Sequence, residues 1–81
     1  MRVVVRLHAG VRERAGRPTL EVEVGEGARV RDVRDAVERA CPGIAGQLGS
    51  CRWALRDAFV AADAPVPPGA PLDVIPPVSG G

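Results

Sequence analysis

The residues of this chain best suited to chemistry lie at its end, where Ile75 to Gly81 read IPPVSGG. Pro76 and Pro77 fix their own φ and disfavour a helical conformation for the residue before them, so this segment is predicted to be extended. Gly80 and Gly81 lack side chains, and an enzyme could therefore thread them through a narrow channel. A carboxylate is a poor electrophile in water, so chemistry at Gly81 would begin with its activation by ATP.

The tail, defined as residues 76–81, is expected to be flexible and to reach roughly 20 Å when extended, far enough to enter a pocket of another protein. In such a pocket Val78 would make an apolar contact and Ser79 would offer a hydrogen bond. The competing interpretation is a mobile terminus without function, because glycine is common at loose chain ends. The residues PPVS before the glycines, together with the fold predicted below, favour the reactive tail over a mobile terminus.

Two strands with one buried face are predicted in the first third of the chain. Apolar and charged residues alternate over residues 1–7 and again over 20–24, which is the period of a half-buried strand. The connection between them, GVRERAGRP, has room for one helical turn. We expect the two strands to pair as a hairpin, with the second at a sheet edge because Glu21 and Glu23 discourage further pairing.

A helix is predicted over residues 30–41. Its apolar residues recur at steps of three and four along VRDVRDAVERAC, and charged residues occupy the other positions. One side of the helix should therefore face a core and the other side water. Pro42 and Gly43 are expected to end it.

The later part of the chain is predicted to add three strands. After one helical turn in IAGQLGS, Trp53 and Phe59 are placed in two short strands around a tight turn near residues 57–58, and residues 72–75 form the last strand. The helix must cross one sheet face to bury its valines. The predicted fold class is α+β, a single β-grasp domain over residues 1–81 whose mixed sheet carries one main helix. If the last strand lies parallel to the first, the tail leaves from the middle of the sheet.

Composition and charge argue against several classes of function. The chain has 81 residues and a net charge of +1, with arginines dispersed among acids, so no nucleic-acid partner is expected. No apolar run is long enough to cross a membrane and the start of the chain lacks a leader pattern, so a cytoplasmic protein without a membrane partner is predicted. Cys41 and Cys51 lack the spacing of a zinc site and are expected to be reduced and half-buried. No metal or bound cofactor is predicted, and without a glycine-rich phosphate loop ATP should bind a partner.

These segments together resemble the MoaD/ThiS family of sulfur carrier proteins, which have the ubiquitin-like fold. MRVVVRLHAGVRERAG is similar to the family's opening strand and the RE-x-x-G turn after it, ARVRDVRDAVERACPG to its helix, and PVPPGAPLDVIPPVSGG to its closing segment. PPVSGG is the most specific part, because it is typical of the branch that forms the small subunit of molybdopterin synthase. The thiamine branch as a rule has the double glycine without this proline pair.

The resemblance implies a cycle at Gly81. An E1-like adenylyltransferase or sulfurtransferase of the MoeB/ThiF type would use ATP to adenylate Gly81, and sulfur from a sulfur-donor protein would convert it to a thiocarboxylate. The large subunit of molybdopterin synthase, of the MoaE type, would receive the tail and pass the sulfur to a pterin precursor. The carrier supplies the reactive terminus, with Gly80 beside it, and is not expected to catalyse alone.

Contacts with these partners are expected from a small set of residues. They are Ile75, Pro76, Pro77, Val78, Ser79, His8 and Arg12. His8 stands where the family often has an aromatic residue, and Arg56 stands in a turn where asparagine is common, so partner choice can differ from that of the branch. Taken alone, His8 is predicted to be a surface residue, because the sequence identifies no carboxylate or thiol partner for it. Trp53 and Phe59 are expected to pack in the core or in an interface.

The sequence leaves three alternatives open. The chain could carry sulfur for another product, such as the thiamine thiazole, cysteine or a secondary metabolite. It could be a ubiquitin-like protein modifier joined through Gly81 to lysines of its targets; since it has no lysine, it cannot form isopeptide chains with itself. It could also be a β-grasp interaction module, and its activity would then survive deletion of Gly80 and Gly81.

Overall fold

The structure, a computed structural model, describes residues 1–77. Within them the chain forms one mixed sheet with helices on one side of it. The strands are β1 (Arg2–Leu7), β2 (Thr19–Glu23), β3 (Arg52–Leu55), β4 (Ala58–Val60) and β5 (Leu72–Ile75). The helices are α1 (Ala9–Ala15), α2 (Val30–Ala40) and α3 (Ala45–Leu48), with a 3-10 turn at Pro42–Ile44.

The first two strands form the predicted hairpin at one edge of the sheet. The strand order is β2-β1-β5-β3-β4, so β2 and β4 are the two edge strands. β1 and β2 pair antiparallel, with Val3 opposite Val22 and Val5 opposite Leu20. These four side chains are buried, because in a strand alternate residues point to the same face.

Helix α2 covers the buried face of the sheet. Val30, Val33 and Val37 are at most 1% exposed and lie on its inner side, as the periodicity predicts. At the start of the helix the Asp32 carboxylate accepts a hydrogen bond of 2.8 Å from the backbone N–H of Arg29, which satisfies one donor that the first turn leaves open. The predicted helix is confirmed at both ends to within one residue.

Strand β5 lies at the centre of the sheet. It runs parallel to β1, with Val5 opposite Leu72 and Leu7 opposite Val74, and antiparallel to β3. Leu72 and Val74 are completely buried. The predicted β-grasp fold is therefore confirmed, and the chain after Ile75 leaves from the middle of the sheet.

Two details differ from the prediction. The segment after β1 holds a helix of seven residues rather than a single turn, and its Val11 is fully buried. The β3–β4 turn is at Arg56 and Asp57, one residue earlier than expected. Both residues have positive φ, at 50° and 67°, as a two-residue hairpin turn with the twist of the strands requires.

Candidate functional site

The face of the sheet opposite α2 is not covered by any helix within the described residues. Side chains from β1, β3, β4 and β5 surround a shallow concavity next to the end of β5. We call this region the β5 surface and define it by Arg6, His8, Ala54, Phe59, Asp73 and Ile75. The alternation of the strands places these residues together, because Arg6 is opposite Asp73 on β5 and Ala54 is opposite both Asp73 and Phe59.

Asp73 binds two basic side chains at the centre of this surface. The Arg6 guanidinium donates from Nε to Oδ1 and from Nη2 to Oδ2, each over 2.8 Å, and His8 Nε2 lies 2.8 Å from Oδ1. The Asp73 side chain is 11% exposed, whereas those of Arg6 and His8 are 46% and 44% exposed. The carboxylate therefore fixes two groups that are themselves open to a partner.

The charges of this cluster shift the proton affinities of its members. The hydrogen bonds from Arg6 lower the pKa of Asp73, burial opposes that change, and the contact with His8 adds to it. The same hydrogen bond with Asp73 raises the pKa of Arg6. Asp73 is thus ionised at neutral pH, and its charge offsets that of Arg6.

An apolar patch lies beside the charged cluster. Phe59 is 52% exposed and is the exposed large hydrophobic residue of the described chain. The Arg52 guanidinium carbon lies 3.6 Å from the centroid of its ring, a cation–π contact that holds the ring in place. With Ala54 and half-buried Ile75, Phe59 forms the apolar part of the β5 surface.

The predicted contact residues are distributed unevenly over the structure. His8 and Ile75 meet on the β5 surface, and Pro76 and Pro77 follow directly from Ile75. Arg12 is exposed on α1 and does not line this surface. Val78, Ser79, Gly80 and Gly81 lie outside the described residues. The roles assigned to all of these residues stay predictions.

His8 lies at the surface as predicted, with its side chain 44% exposed, but the sequence revealed no partner for it. His8 does have a carboxylate partner, Asp73, which is 65 positions away along the chain. Arg6 and Asp73 had no assigned role in the predicted site, and Phe59, expected in the core or in an interface, is exposed on this surface. A signal for Asp73 was present: it is a single acid between Leu72 and Val74 in a strand that is otherwise apolar.

Within residues 1–77 neither a metal site nor an activated thiol accompanies the β5 surface. No group of three or more His, Cys, Asp and Glu residues there is arranged to hold a metal ion. Cys41 and Cys51 are half-buried and form no disulfide, as predicted. Burial raises the pKa of the Cys51 thiol, so its reactive thiolate is less populated. The helices of this part of the chain are all too short or too polar to cross a membrane.

Comparison with known proteins agrees with the geometry. The model of the ThiS family matches residues 5–81. Among solved structures, SAMP1 from Haloferax volcanii is 27% identical, with a TM-score of 0.91 and 100% of both chains covered. A Pyrococcus furiosus protein assigned as molybdopterin converting factor subunit 1 is also 27% identical, with a TM-score of 0.85 and coverage of 96% of this chain and 99% of that one.

A third similar structure comes from a complex. A chain of the BexX/CysO complex of Amycolatopsis orientalis is 26% identical, with a TM-score of 0.78, and the match covers 98% of this chain and 99% of that chain. No curated protein sequence matches significantly. The similar structures therefore include proteins named for different pathways on one shared fold.

Proposed function

This chain belongs to the ThiS family, whose members are ubiquitin-like sulfur carriers and modifiers, and we propose that it carries sulfur as a thiocarboxylate on Gly81. The observation that supports this most is the family match, which continues through Gly80 and Gly81. Both glycines lack a Cβ, so neither obstructs the approach of a nucleotide or a nucleophile to the terminal carbonyl carbon.

The proposed reaction has two steps, and both take place in a partner enzyme. The Gly81 carboxylate attacks the α-phosphorus of ATP, an acyl adenylate forms and pyrophosphate leaves. Hydrosulfide then forms a bond to the carbonyl carbon while the bond from that carbon to the AMP oxygen breaks and AMP leaves. If the persulfide of a donor protein attacks instead, an acyl disulfide forms, and a thiol of the partner cleaves it by forming a disulfide with the donor cysteine. The product is a thiocarboxylate. An E1-like enzyme of the MoeB/ThiF type supplies the ATP site and the acid–base groups.

The position of β5 suits a strand that carries a reactive tail, because its neighbours hold it on both sides. β5 is bonded to β1 on one side and to β3 on the other, and two of its residues are completely buried. A central strand of this kind opens only with a large part of the fold. Ile75 is therefore a fixed point from which Pro76 and Pro77 start the tail, and a partner can meet the tail at a set distance from the domain.

The β5 surface is proposed as the docking site of the activating enzyme. It combines an exposed aromatic residue, Phe59, with the oriented polar groups of Arg6 and His8. Aromatic and arginine side chains are enriched among the residues that dominate binding energy in interfaces. Because this surface adjoins Ile75, a partner that covers it also receives the tail.

Molybdopterin synthesis is the pathway that we propose first. The PPVSGG ending resembles the small subunit of molybdopterin synthase, and the Pyrococcus furiosus relative is assigned to that role. The test is reconstitution of the thiocarboxylated chain with a molybdopterin synthase large subunit and the pterin precursor. Formation of molybdopterin is expected. A large subunit that turns over with its own small subunit but not with this chain would contradict the assignment.

A protein modifier is the second candidate. SAMP1 is a small archaeal modifier protein, and its fold agrees with this chain at a TM-score of 0.91. A tagged chain expressed in its own cells would then produce a ladder of conjugates on an immunoblot, and the ladder would disappear when Gly81 is deleted. A single unconjugated band, together with sulfur loading, would favour the carrier.

A further inference from the structure

A second concave surface lies at the β4 edge of the sheet, away from the tail. It runs between the first half of α2 and the strands β3 and β4. We call it the edge groove and define it by Arg31, Arg34, Leu48, Arg52, Trp53 and Val60. Within residues 1–77 no strand pairs with the outer side of β4, so the groove borders an unpaired strand edge.

The edge groove is basic, although the whole chain is nearly neutral. Three arginines line it, and no Asp or Glu side chain does. Four acids line a separate concavity near the opposite edge, beside β2. They are Glu23, Glu26, Asp32 and Asp35, accompanied by Arg39. With a net charge of only +1, this separation leaves one edge of the molecule suited to negative charge.

Arg34 carries an unused hydrogen-bond donor in this groove. Its Nε is buried and has no hydrogen-bond partner among the described residues. Glu38 Oε1 lies 3.6 Å from this nitrogen, close enough for an ion pair on the surface of α2 but too far for a hydrogen bond. Buried donors of this kind are rare in native proteins, because leaving one unmade costs free energy. The Arg34 side chain is nevertheless 40% exposed, so a carboxylate from outside the chain can approach the exposed part of it.

We propose that the edge groove binds an extended, acidic segment of a partner protein, which adds a strand to β4. Backbone groups of that segment would pair with the unpaired edge of β4. Its side chains would alternate between the two faces of the sheet, so acids on one face reach Arg31 and Arg34 and those on the other reach Arg52. Val60 offers an apolar contact.

Other occupants fit the groove less well. Trp53 is 6% exposed, so its ring is not available for stacking with bases. The three arginines gather at one groove and do not form a stripe along which a phosphate backbone could lie. A second copy of this chain could present its acidic β2 edge, but Glu23 on that edge is already paired with Arg2 and with the N-terminal ammonium. An acidic partner segment is therefore favoured.

The test is an NMR titration of the labelled full chain with a short capped peptide that alternates glutamate and valine. Saturable shifts are expected at the amides of β4 and at Arg31, Arg34 and Arg52. The variant Arg34→Glu should bind at least about tenfold more weakly, since a charged hydrogen bond contributes roughly 1.5–3 kcal/mol. The matched control Arg39→Glu makes the same charge change on the same helix and should bind like the wild type.

Further experiments distinguish an acidic partner segment from other occupants of the edge groove. A peptide that alternates lysine and valine should not bind, and deletion of Gly80 and Gly81 should leave binding unchanged, so the result does not depend on sulfur transfer. If Arg34→Glu disturbs the fold, Arg34→Gln gives the same comparison. The proposal is overturned if no saturable shift occurs, if shifts lie on β2, or if single-stranded RNA competes for the groove. Self-association in sedimentation that Arg34→Glu abolishes would likewise replace the partner segment with a second copy.

Discussion

Arg6 and Asp73 face each other across the parallel ladder of β1 and β5 and form an ion pair with two hydrogen bonds of 2.8 Å. Asp73 is 8% exposed and is the buried charged residue of the described chain. It lies two residues before Ile75, the last residue of β5, after which the tail begins. The pair therefore joins the strand that carries the tail to the first strand of the domain, and it also orients the exposed head of Arg6.

Asp73→Asn should destabilise the domain. The amide keeps the shape of the carboxylate but cannot accept both guanidinium bonds, and it removes the charge that offsets Arg6. We expect the free energy of unfolding to fall by roughly 1–2 kcal/mol. This is at the low end of the range for hydrogen bonds to charged groups, because the partly exposed Arg6 is screened by water. Urea unfolding followed by circular dichroism measures this change.

Glu21→Gln is the matched control for that experiment. It makes the same chemical change at an exposed residue on β2, where the described residues provide no ion pair for it. Its free energy of unfolding should stay within about 0.5 kcal/mol of the wild type. Equal losses for both variants would show that the Arg6–Asp73 pair does not stabilise the fold.

The Asp73 pair should also make stability depend on pH in acid. Because the pKa of Asp73 is lowered in the folded state, the unfolded chain takes up its proton first as pH falls. The stability that ionised Asp73 contributes is present above the ordinary aspartate pKa of 3.8 and is lost as pH falls through the lower pKa of the folded state. A urea series from neutral to acidic pH should show a smaller acid-induced loss for Asp73→Asn than for the wild type. Parallel curves for the two proteins would contradict this linkage.

Much of the fold could be predicted from local pattern. The period of two in β1 and β2 and the period near 3.6 in α2 are set by which side chains must be buried, and each pattern is continuous. The central place of β5 could be predicted only on the condition that it lies parallel to β1, and the observed pairing meets that condition. Helix α1 was underestimated because it lacks a side-chain cap at its start and buries only Val11.

The site was harder to predict because its residues are distant in sequence. His8 and Asp73 meet only through the parallel register of β1 and β5, which no local pattern encodes. Phe59 and Trp53 lie in adjacent short strands, yet one is exposed and the other buried. Their difference depends on which face of the sheet α2 covers, and a three-residue strand is too short to reveal that by alternation.

Phe59→Ala should weaken docking more than it weakens the fold. Phe59 is 52% exposed, so its removal should cost less than about 1 kcal/mol of unfolding free energy. Affinity for the E1-like enzyme, measured by isothermal titration calorimetry, should fall by about tenfold or more, as for an aromatic anchor. Thr19→Ala changes an exposed residue on the far edge strand and should leave the affinity unchanged. Equal affinity for Phe59→Ala and the wild type would remove the β5 surface from the docking site.

Asp57→Gly should stabilise the β3–β4 hairpin. Asp57 has a φ of 67°, a conformation that glycine adopts without the crowding that a Cβ causes. We expect the midpoint of thermal unfolding to rise, by an amount equivalent to about 0.5–1 kcal/mol. Ala58→Gly places the same residue at the next position, where φ is not positive, and should lower the midpoint instead. A decrease with both variants would show that the turn does not strain Asp57.

The central claim is that Gly81 accepts sulfur, and intact-mass spectrometry tests it most directly. The chain is incubated with its E1-like enzyme, ATP and sulfide, beside a variant that carries one added alanine after Gly81. The wild type is expected to gain the mass difference between sulfur and oxygen. The extended variant is expected to keep its mass, because its carboxylate lies one residue beyond the position of the Gly81 carboxylate and belongs to an alanine, whose Cβ obstructs the reaction. A wild-type mass that stays unchanged, in a reaction where the same enzyme converts another carrier, would contradict the account.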